Sequence, residues 1–522
     1  MDFIKDKTNC VGHLSNLSNW IKDIVIFAIA IIFNSSKILV RPLNNLDEIW
    51  NFNFANCVSN GLVPYRDFNM VQTPLLPLID GCILKVFGQE LIVTRVLAIL
   101  LCSGIIFLMY KIMKKLNISD FLNYITIIFF TCVTHEYFAM DYNWATLFVL
   151  LIIIYLEIES KSRNHDEELN KDECKIRNNL TKNMKKDAII GILGGICIML
   201  KQNTGLLISI ALVGYKIFEI KDRKQIKEFF KIAIIRGFGV LIPIIVVDIY
   251  LLINGAFKDF VDYCILGVST FLNKISYSKR ILNNSDVIFR ILGVMPITLI
   301  VSIILYFIKR ERSFLIISLY GLAELIIVYP ISDEAHFVLA GAIILINTTY
   351  LIDYISKKII NKEEFIKKAN FVLSNTIFAG VIVVTFFYAQ SSINNYNTLN
   401  INKEITHYSL IPMTQEQIDN IKQIDDYILN LNKKVYILDA QAAIYMIPID
   451  RYNKNYDMFL KGNLGGKGEE GQIENLKKDK EKIVLILNKN YNRNWQNPEK
   501  VRIYITENMK MTGKIGIFDI YE

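Results

Sequence analysis

Long apolar runs separated by short polar turns fill the first three quarters of the chain. The first lies at 24–40, behind 21 mostly polar residues, and no small-residue cleavage motif follows it. That pattern predicts a retained signal anchor and not a removed signal peptide. Further runs lie near 90–110, 121–135, 143–157, 188–200, 204–219, 232–254, 286–308, 314–331, 337–354 and 369–389. Each approaches the ~20 residues that cross a hydrocarbon core, so about eleven crossings are expected. The two runs within 188–219 are short halves around Lys201-Gln-Asn203.

From 391 onward the period changes. An amphipathic stretch opening at Thr414 and running through Leu431 predicts a helix. Val435–Asp439, Ile483–Leu487 and Ile515–Tyr521 read as short buried strands, and Asn497-Pro-Glu as a helix start with Pro at the first helical position. The expected fold is therefore an α-helical polytopic membrane domain over 1–390 and a small C-terminal α/β domain over 391–522.

Charge adds orientation. With the N-terminus inside, the turns at 111–115, 159–187, 221–231, 309–312 and 357–368 carry 24 Lys/Arg, against 8 in the opposite segments. This alternation puts the former in the cytoplasm and the C-terminal domain outside the cell membrane. A net charge of +8 with 52% hydrophobic residues fits that surplus, so nucleic acid is not an expected partner. Eight scattered Cys and five His, without C-x-x-C or H-E-x-x-H, exclude a disulfide framework and a zincin. Gly191-Ile-Leu-Gly-Gly195 predicts close helix packing, and Gly462-Asn-Leu-Gly-Gly-Lys-Gly468 lacks the ending of a phosphate loop.

The chemistry concentrates in the first external segment, 41–89. Asp47-Glu48 follows the first span, and Trp50, Phe52, Phe54 and Val58 suit a helix lying on the bilayer surface. Gly61-Leu-Val-Pro-Tyr-Arg-Asp-Phe68 and a Pro-rich entry, Pro74 and Pro77, lead to Leu84-Lys-Val-Phe-Gly88, with Arg95 beyond. This stretch resembles the GT-C superfamily of polyprenyl-phosphate-sugar-dependent glycosyltransferases. Family 39, with its protein O-mannosyltransferases and lipid A aminoarabinose transferases, is the nearest branch. The layout matches over 20–390 and the motifs over about 40–95.

The resemblance implies inverting sugar transfer at the outer face, from a polyprenyl-phosphate-linked donor to a glycan, lipid or protein acceptor. Such a donor leaves as an anion and needs no general acid, so one carboxylate suffices to take the acceptor's proton. Asp47 matches the family's base, with Glu48 orienting it or the acceptor. Arg66, Lys201 and Arg280 are candidate cations for the departing phosphate. Asp67, Glu136, Asp141 and His336 are further candidate substrate contacts from the outer loops. The 255–285 loop, with Phe271, Tyr277, Lys279 and Arg280, suits an acyl chain and its phosphate.

Asp47, Glu48, Glu136 and Asp141 offer oxygen donors of the kind Mg²⁺ or Mn²⁺ takes, although transfer to a hydroxyl implies no cofactor. Glu324 and Asp248 fall within apolar runs, where pairing with a cation such as Arg95 is expected. Two other classes share the multispan layout. A polysaccharide polymerase or ligase places its chemistry in a long late loop, and a lipid-sugar transporter or flippase commonly shows an internal repeat. Neither feature is present in the sequence, and a plain scaffold leaves Asp47-Glu48 without a role.

Overall fold

The computed structural model describes residues 2–44, 46–158, 173–270, 276–283, 286–329, 331–359, 363–455, 459–460, 464–491 and 498–522. The helices of the first part are α1 (Asp2–Ile38), α2 (Leu46–Ser59), α3 (Leu75–Phe87), α4 (Leu91–Lys115), α5 (Asp120–Thr134), α6 (Tyr142–Glu157), α7 (Glu173–Leu200) and α8 (Gln202–Ile217). They continue as α9 (Arg223–Ile253), α10 (Phe257–Phe260), α11 (Tyr277–Asn283), α12 (Val287–Val294), α13 (Ile297–Lys309), α14 (Arg312–Leu325), α15 (Glu334–Ile359) and α16 (Glu363–Thr398). Each apolar run read from the sequence falls mainly in one of these helices, except that Pro296 divides the 286–308 run into α12 and α13 and the 314–331 run leaves α14 at Leu325 for a 3-10 turn over Ile326–Val328.

Among the described residues five helical segments are by themselves long and apolar enough to cross a membrane: Leu91–Lys115, Arg223–Ile253, Val287–Lys309, Glu334–Ile359 and Lys368–Thr398. Two of them, α9 and the last, bury little of their apolar surface in protein, as a bilayer solvent allows. Asp120–Thr134 and Tyr142–Glu157 are shorter apolar helices; the second is largely buried in the bundle, while the first exposes Ile125 and Ile128. The last helix runs on past residue 390, the boundary expected from composition, to Thr398.

Small residues set a close helix contact. A Cβ on Gly191 of α7 would lie 2.4 Å from the Arg236 carbonyl of α9, and one on Gly195 2.3 Å from that of Val240. The glycine motif therefore lets two backbones touch, as its spacing predicts. At the far end of α7 the chain turns at Lys201, which adopts an extended conformation and reverses direction into α8.

The C-terminal part adds α17 (Gln415–Leu429), α18 (Ala443–Met446), α19 (Gly468–Lys478) and α20 (Glu499–Asn508). Its strands are β1 (Lys434–Leu438), β2 (Lys482–Leu487), β3 (Met511–Ile515) and β4 (Phe518–Tyr521). They form one sheet in the order β1-β2-β4-β3, with β1 and β2 parallel and the other pairs antiparallel. Thr414 and Gln417 close a capping box on α17, as the sequence suggests. The expected strand 515–521 is instead the two legs of a hairpin turning at Gly516 (φ +50°), where an L side chain would be strained. Pro498 caps α20 from outside the helix and is not its first residue, while Asn497 lies outside the described residues.

This domain is clamped to the segment 41–89. Trp50 Nε1 donates to the Ala440 carbonyl at 2.7 Å, and Asn60 Nδ2 donates to the Tyr452 hydroxyl at 2.7 Å and to Asp450 at 3.2 Å. Asn69 meets Asn455 and the Lys454 carbonyl. Helix α2 is consequently buried from Glu48 to Cys57. It does not lie on the bilayer: Phe52 packs near Tyr408 and Phe54 stacks on Phe68. The periodicity of an apolar face cannot distinguish lipid from protein as what covers it.

The late glycine loop has a docking role as well. Gly465 (φ +78°) and Gly466 lie against the Asp262 carboxylate, with no room for a Cβ, and Thr270 Oγ1 donates to the Gly465 carbonyl at 3.0 Å. Gly462 and Asn463 lie outside the described residues.

Candidate active site

Asp47 occupies the first turn of α2, held in place by its neighbour. Glu48 accepts two hydrogen bonds from Arg95 of α4, Nε to Oε1 and Nη2 to Oε2, both 2.9 Å. Arg95 is fully buried and also donates to the carbonyls of Arg41 (2.6 Å) and Pro42 (3.4 Å). A buried bidentate pair of this kind fixes geometry, because separating it would strand a charge. It fixes the end of α1, the turn and the start of α2 together. Arg95 is thus Glu48's partner, and the expected pairing with Glu324 or Asp248 is corrected. Glu48 faces the protein and reaches reacting atoms only through α2.

One residue earlier, the side chain faces elsewhere. Asp47 is half-buried, and among the described residues its carboxylate has no hydrogen-bond partner. Burial raises its pKa above the usual carboxylate range, Asp333 adds to the rise, and His336 and Lys201 oppose it. Those groups come from two further turns: Lys201 from the α7–α8 break, and Asp333 and His336 from the start of α15.

Asp141 completes the cluster. Its Oδ1 caps α6 by accepting from the amides of Asn143 (2.6 Å) and Trp144 (3.0 Å). Burial first and Asp47 second push its pKa to about 7. Lys201 is buried between these acids, hydrogen-bonded to Asn143 Oδ1, with its ammonium 5.5 Å from the centre of the Tyr142 ring. Burial lowers its pKa to about 8, against the pull of Glu324, Asp141, Asp47 and Asp333. Glu324 is fully buried, and both its carboxylate oxygens lack a hydrogen-bond partner among the described residues.

His336 is oriented by Asp333, whose Oδ1 lies 2.5 Å from Nδ1. Burial pulls Asp333 up, but the His336 contact outweighs it and leaves Asp333 below its ordinary range. Arg280 pairs with Glu334 and also bears on Asp333, so the 255–285 loop reaches this cluster through α11. Phe271 lies outside the described residues.

The other candidates have different surroundings. Arg66 and Asp67 pair with each other at 2.7 Å, and Asp67 Oδ2 also accepts from the Val63 amide at 2.7 Å. Tyr65 sits between them and the core with a positive φ of 66°, its hydroxyl donating to the Gln72 carbonyl. The Pro-Tyr-Arg-Asp-Phe run therefore builds a tight turn. Glu136 is exposed beside His135. Asp47, Glu48, Glu136 and Asp141 are not assembled as one donor set, and no group of three or more His, Cys, Asp and Glu among the described residues is placed to share a metal ion.

Asp333, Asn143 and Tyr142 are members of the cluster that sequence reasoning did not select. Asp333 had a signal, a short turn shared with His336. Asn143 had none.

No protein-family model and no curated protein sequence matches the chain. Solved structures do. ArnT from Cupriavidus metallidurans in the apo state superimposes with a TM-score of 0.54 at 10% identity, covering 97% of this chain and 98% of that one. Its undecaprenyl-phosphate-bound form gives 0.52 over the same shares at 10% identity. The Archaeoglobus fulgidus oligosaccharyltransferase tethered to an acceptor peptide gives 0.50 at 12% identity, covering 89% and 69%. The chain shares the fold of these structures. Near-complete coverage of ArnT includes the C-terminal sheet domain, so the likeness extends beyond the helical bundle. The polytopic helical fold expected from the sequence is the one found.

Proposed function

We propose that this protein is a membrane glycosyltransferase. In this reading it moves a sugar from a polyprenyl-phosphate carrier to an acceptor hydroxyl, with inversion, at the outer membrane face. The observation that carries the reading is Asp47: an acidic side chain without a hydrogen-bond partner among the described residues, on a helix locked by Glu48–Arg95, beside a buried lysine. A carboxylate raised by burial yet neighboured by cations is suited to taking a proton near neutral pH.

The step balances simply. Asp47 takes the acceptor's hydroxyl proton as that oxygen bonds the anomeric carbon. The bond from that carbon to the phosphate oxygen breaks, and polyprenyl phosphate leaves with the electron pair. Lys201, already buried and cationic between Asp47 and Asp141, would stabilise the phosphate, and Arg280 is the second cation. Asp141 and His336 would position the acceptor. The likeness to an undecaprenyl-phosphate-bound structure supports a lipid carrier. It leaves the sugar and acceptor open. A polymerase or ligase would share the carrier, but the cluster here gathers around the first external segment and not a long late loop.

The test is reconstitution. Purified protein in liposomes should convert a polyprenyl-phosphate sugar and a glycan or lipid acceptor into glycosylated product and free polyprenyl phosphate. Movement of intact carrier across the bilayer without sugar release would instead support a flippase.

A further inference from the structure

A second polar cavity lies at the opposite end of the bundle. Asp141 starts α6 and Glu157 ends it, and sixteen helical residues separate them by about 24 Å. The cavity, about 350 Å³, is bounded by the end of α6, residues 183–187 of α7, the end of α8, residues 225–236 of α9 and Arg312 of α14.

Its floor is a fixed ion-pair network. Arg236 of α9, almost fully buried, donates to Glu157, to Asp187 (2.6 and 2.9 Å) and to the Leu212 carbonyl (2.6 Å). Tyr215 donates to Glu157 at 2.6 Å and accepts from Arg312 at 2.9 Å. Arg312 and Lys216 both reach Glu219. These groups neutralise one another.

What remains is a rim with a surplus. The lining holds five Lys/Arg and four Asp/Glu. Lys186 and Lys231 have no carboxylate within ion-pair distance among the described residues, nor does the lining Glu228 have a cation. Beside them lie apolar walls, Phe229, Ile232 and Ile235. The adjoining faces of α7 and α9 are strongly exposed and apolar at Ile189, Phe230 and Ile234, the surface a bilayer covers.

We propose that this cavity binds the headgroup of a membrane glycerophospholipid through its phosphodiester. One excess positive charge complements one phosphodiester, and the apolar walls continue onto lipid-facing helix surface, which favours a lipid over a phosphate in solution. Basic pockets between spanning helices are known to take such headgroups. The site uses none of the groups around Asp47 and stands apart from the proposed transfer.

Native mass spectrometry of the full-length protein after extraction from equimolar phosphatidylglycerol and phosphatidylcholine vesicles tests this. Wild type should retain phosphatidylglycerol selectively, and Lys186→Ala/Lys231→Ala should lower that retention by about tenfold. Lys224→Ala/Lys227→Ala removes the same charge from exposed positions of α9 outside the cavity and should change it less than about twofold. Ile232→Trp, which narrows the cavity without altering charge, should also lower retention, and Lys186→Arg/Lys231→Arg should preserve it. Equal losses from both alanine pairs, or equal retention of the two lipids by wild type, would overturn the proposal. Displacement of phosphatidylglycerol by matched concentrations of glycerol 3-phosphate would overturn the lipid assignment in favour of a soluble phosphate.

Discussion

The two ends of α6 hold similar residues in opposite states. At its C-terminal end Glu157, Asp187, Arg236, Arg312 and Tyr215 are matched group for group. Around its N-terminal end Asp47 has no hydrogen-bond partner among the described residues, Glu324 keeps two unpartnered oxygens, and Lys201 is lowered to about 8. Buried charge is expensive, and a fully paired set holds structure at little net gain. A set left incomplete keeps proton affinities near neutrality, which is what acid–base chemistry needs. The contrast repeats over one residue at the start of α2, where Glu48 is spent on Arg95 and Asp47 is not.

Breaking the paired end should cost folding. Arg236→Met leaves Asp187 without its cation and Glu157 with Tyr215 and a distant Arg312, and should destabilise the protein by about 3–5 kcal/mol, read as a lowered unfolding midpoint in detergent. Glu48→Gln should also act first on stability, by roughly 2–4 kcal/mol, because Arg95 keeps only carbonyl partners. Its transfer rate should fall less than that of an Asp47 variant.

Smaller effects sharpen the open end. Transfer needs Asp47 ionised and Lys201 protonated, so the rate should rise with pH through the Asp47 titration and fall as Lys201 loses its proton near about 8. Lys201→Met should lower the rate and abolish the alkaline limb. An unchanged limb would assign it to another group. Trp50→Phe removes the hydrogen bond to Ala440, and should cost about 1 kcal/mol of stability and a few-fold in rate at unchanged donor affinity. This would show that the C-terminal domain helps position α2.

The helical body was legible because a bilayer demands long apolar runs, and the runs are there. The α7–α9 contact was legible in Gly191 and Gly195 for a similar reason: only glycine permits that approach. The strand Met511–Ile515 was not, since its face is largely exposed and carries no apolar alternation. Asp47 could be placed by position and motif. Its surroundings could not, because Lys201, Asp141 and His336 reach it from turns separated by dozens of residues. Nor could Glu48 be separated from it: adjacent acids look alike until Arg95, 47 residues on, claims one.

Transfer by Asp47→Asn tests the account most directly, measured with donor saturating. The substitution keeps size and polarity and removes the proton acceptor, so the variant should unfold at the wild-type midpoint and bind polyprenyl phosphate normally. Its rate should fall at least about a hundredfold, the lower range of general-base contributions. Turnover at the wild-type rate would contradict the account, and the likeness to GT-C structures would then speak only to fold.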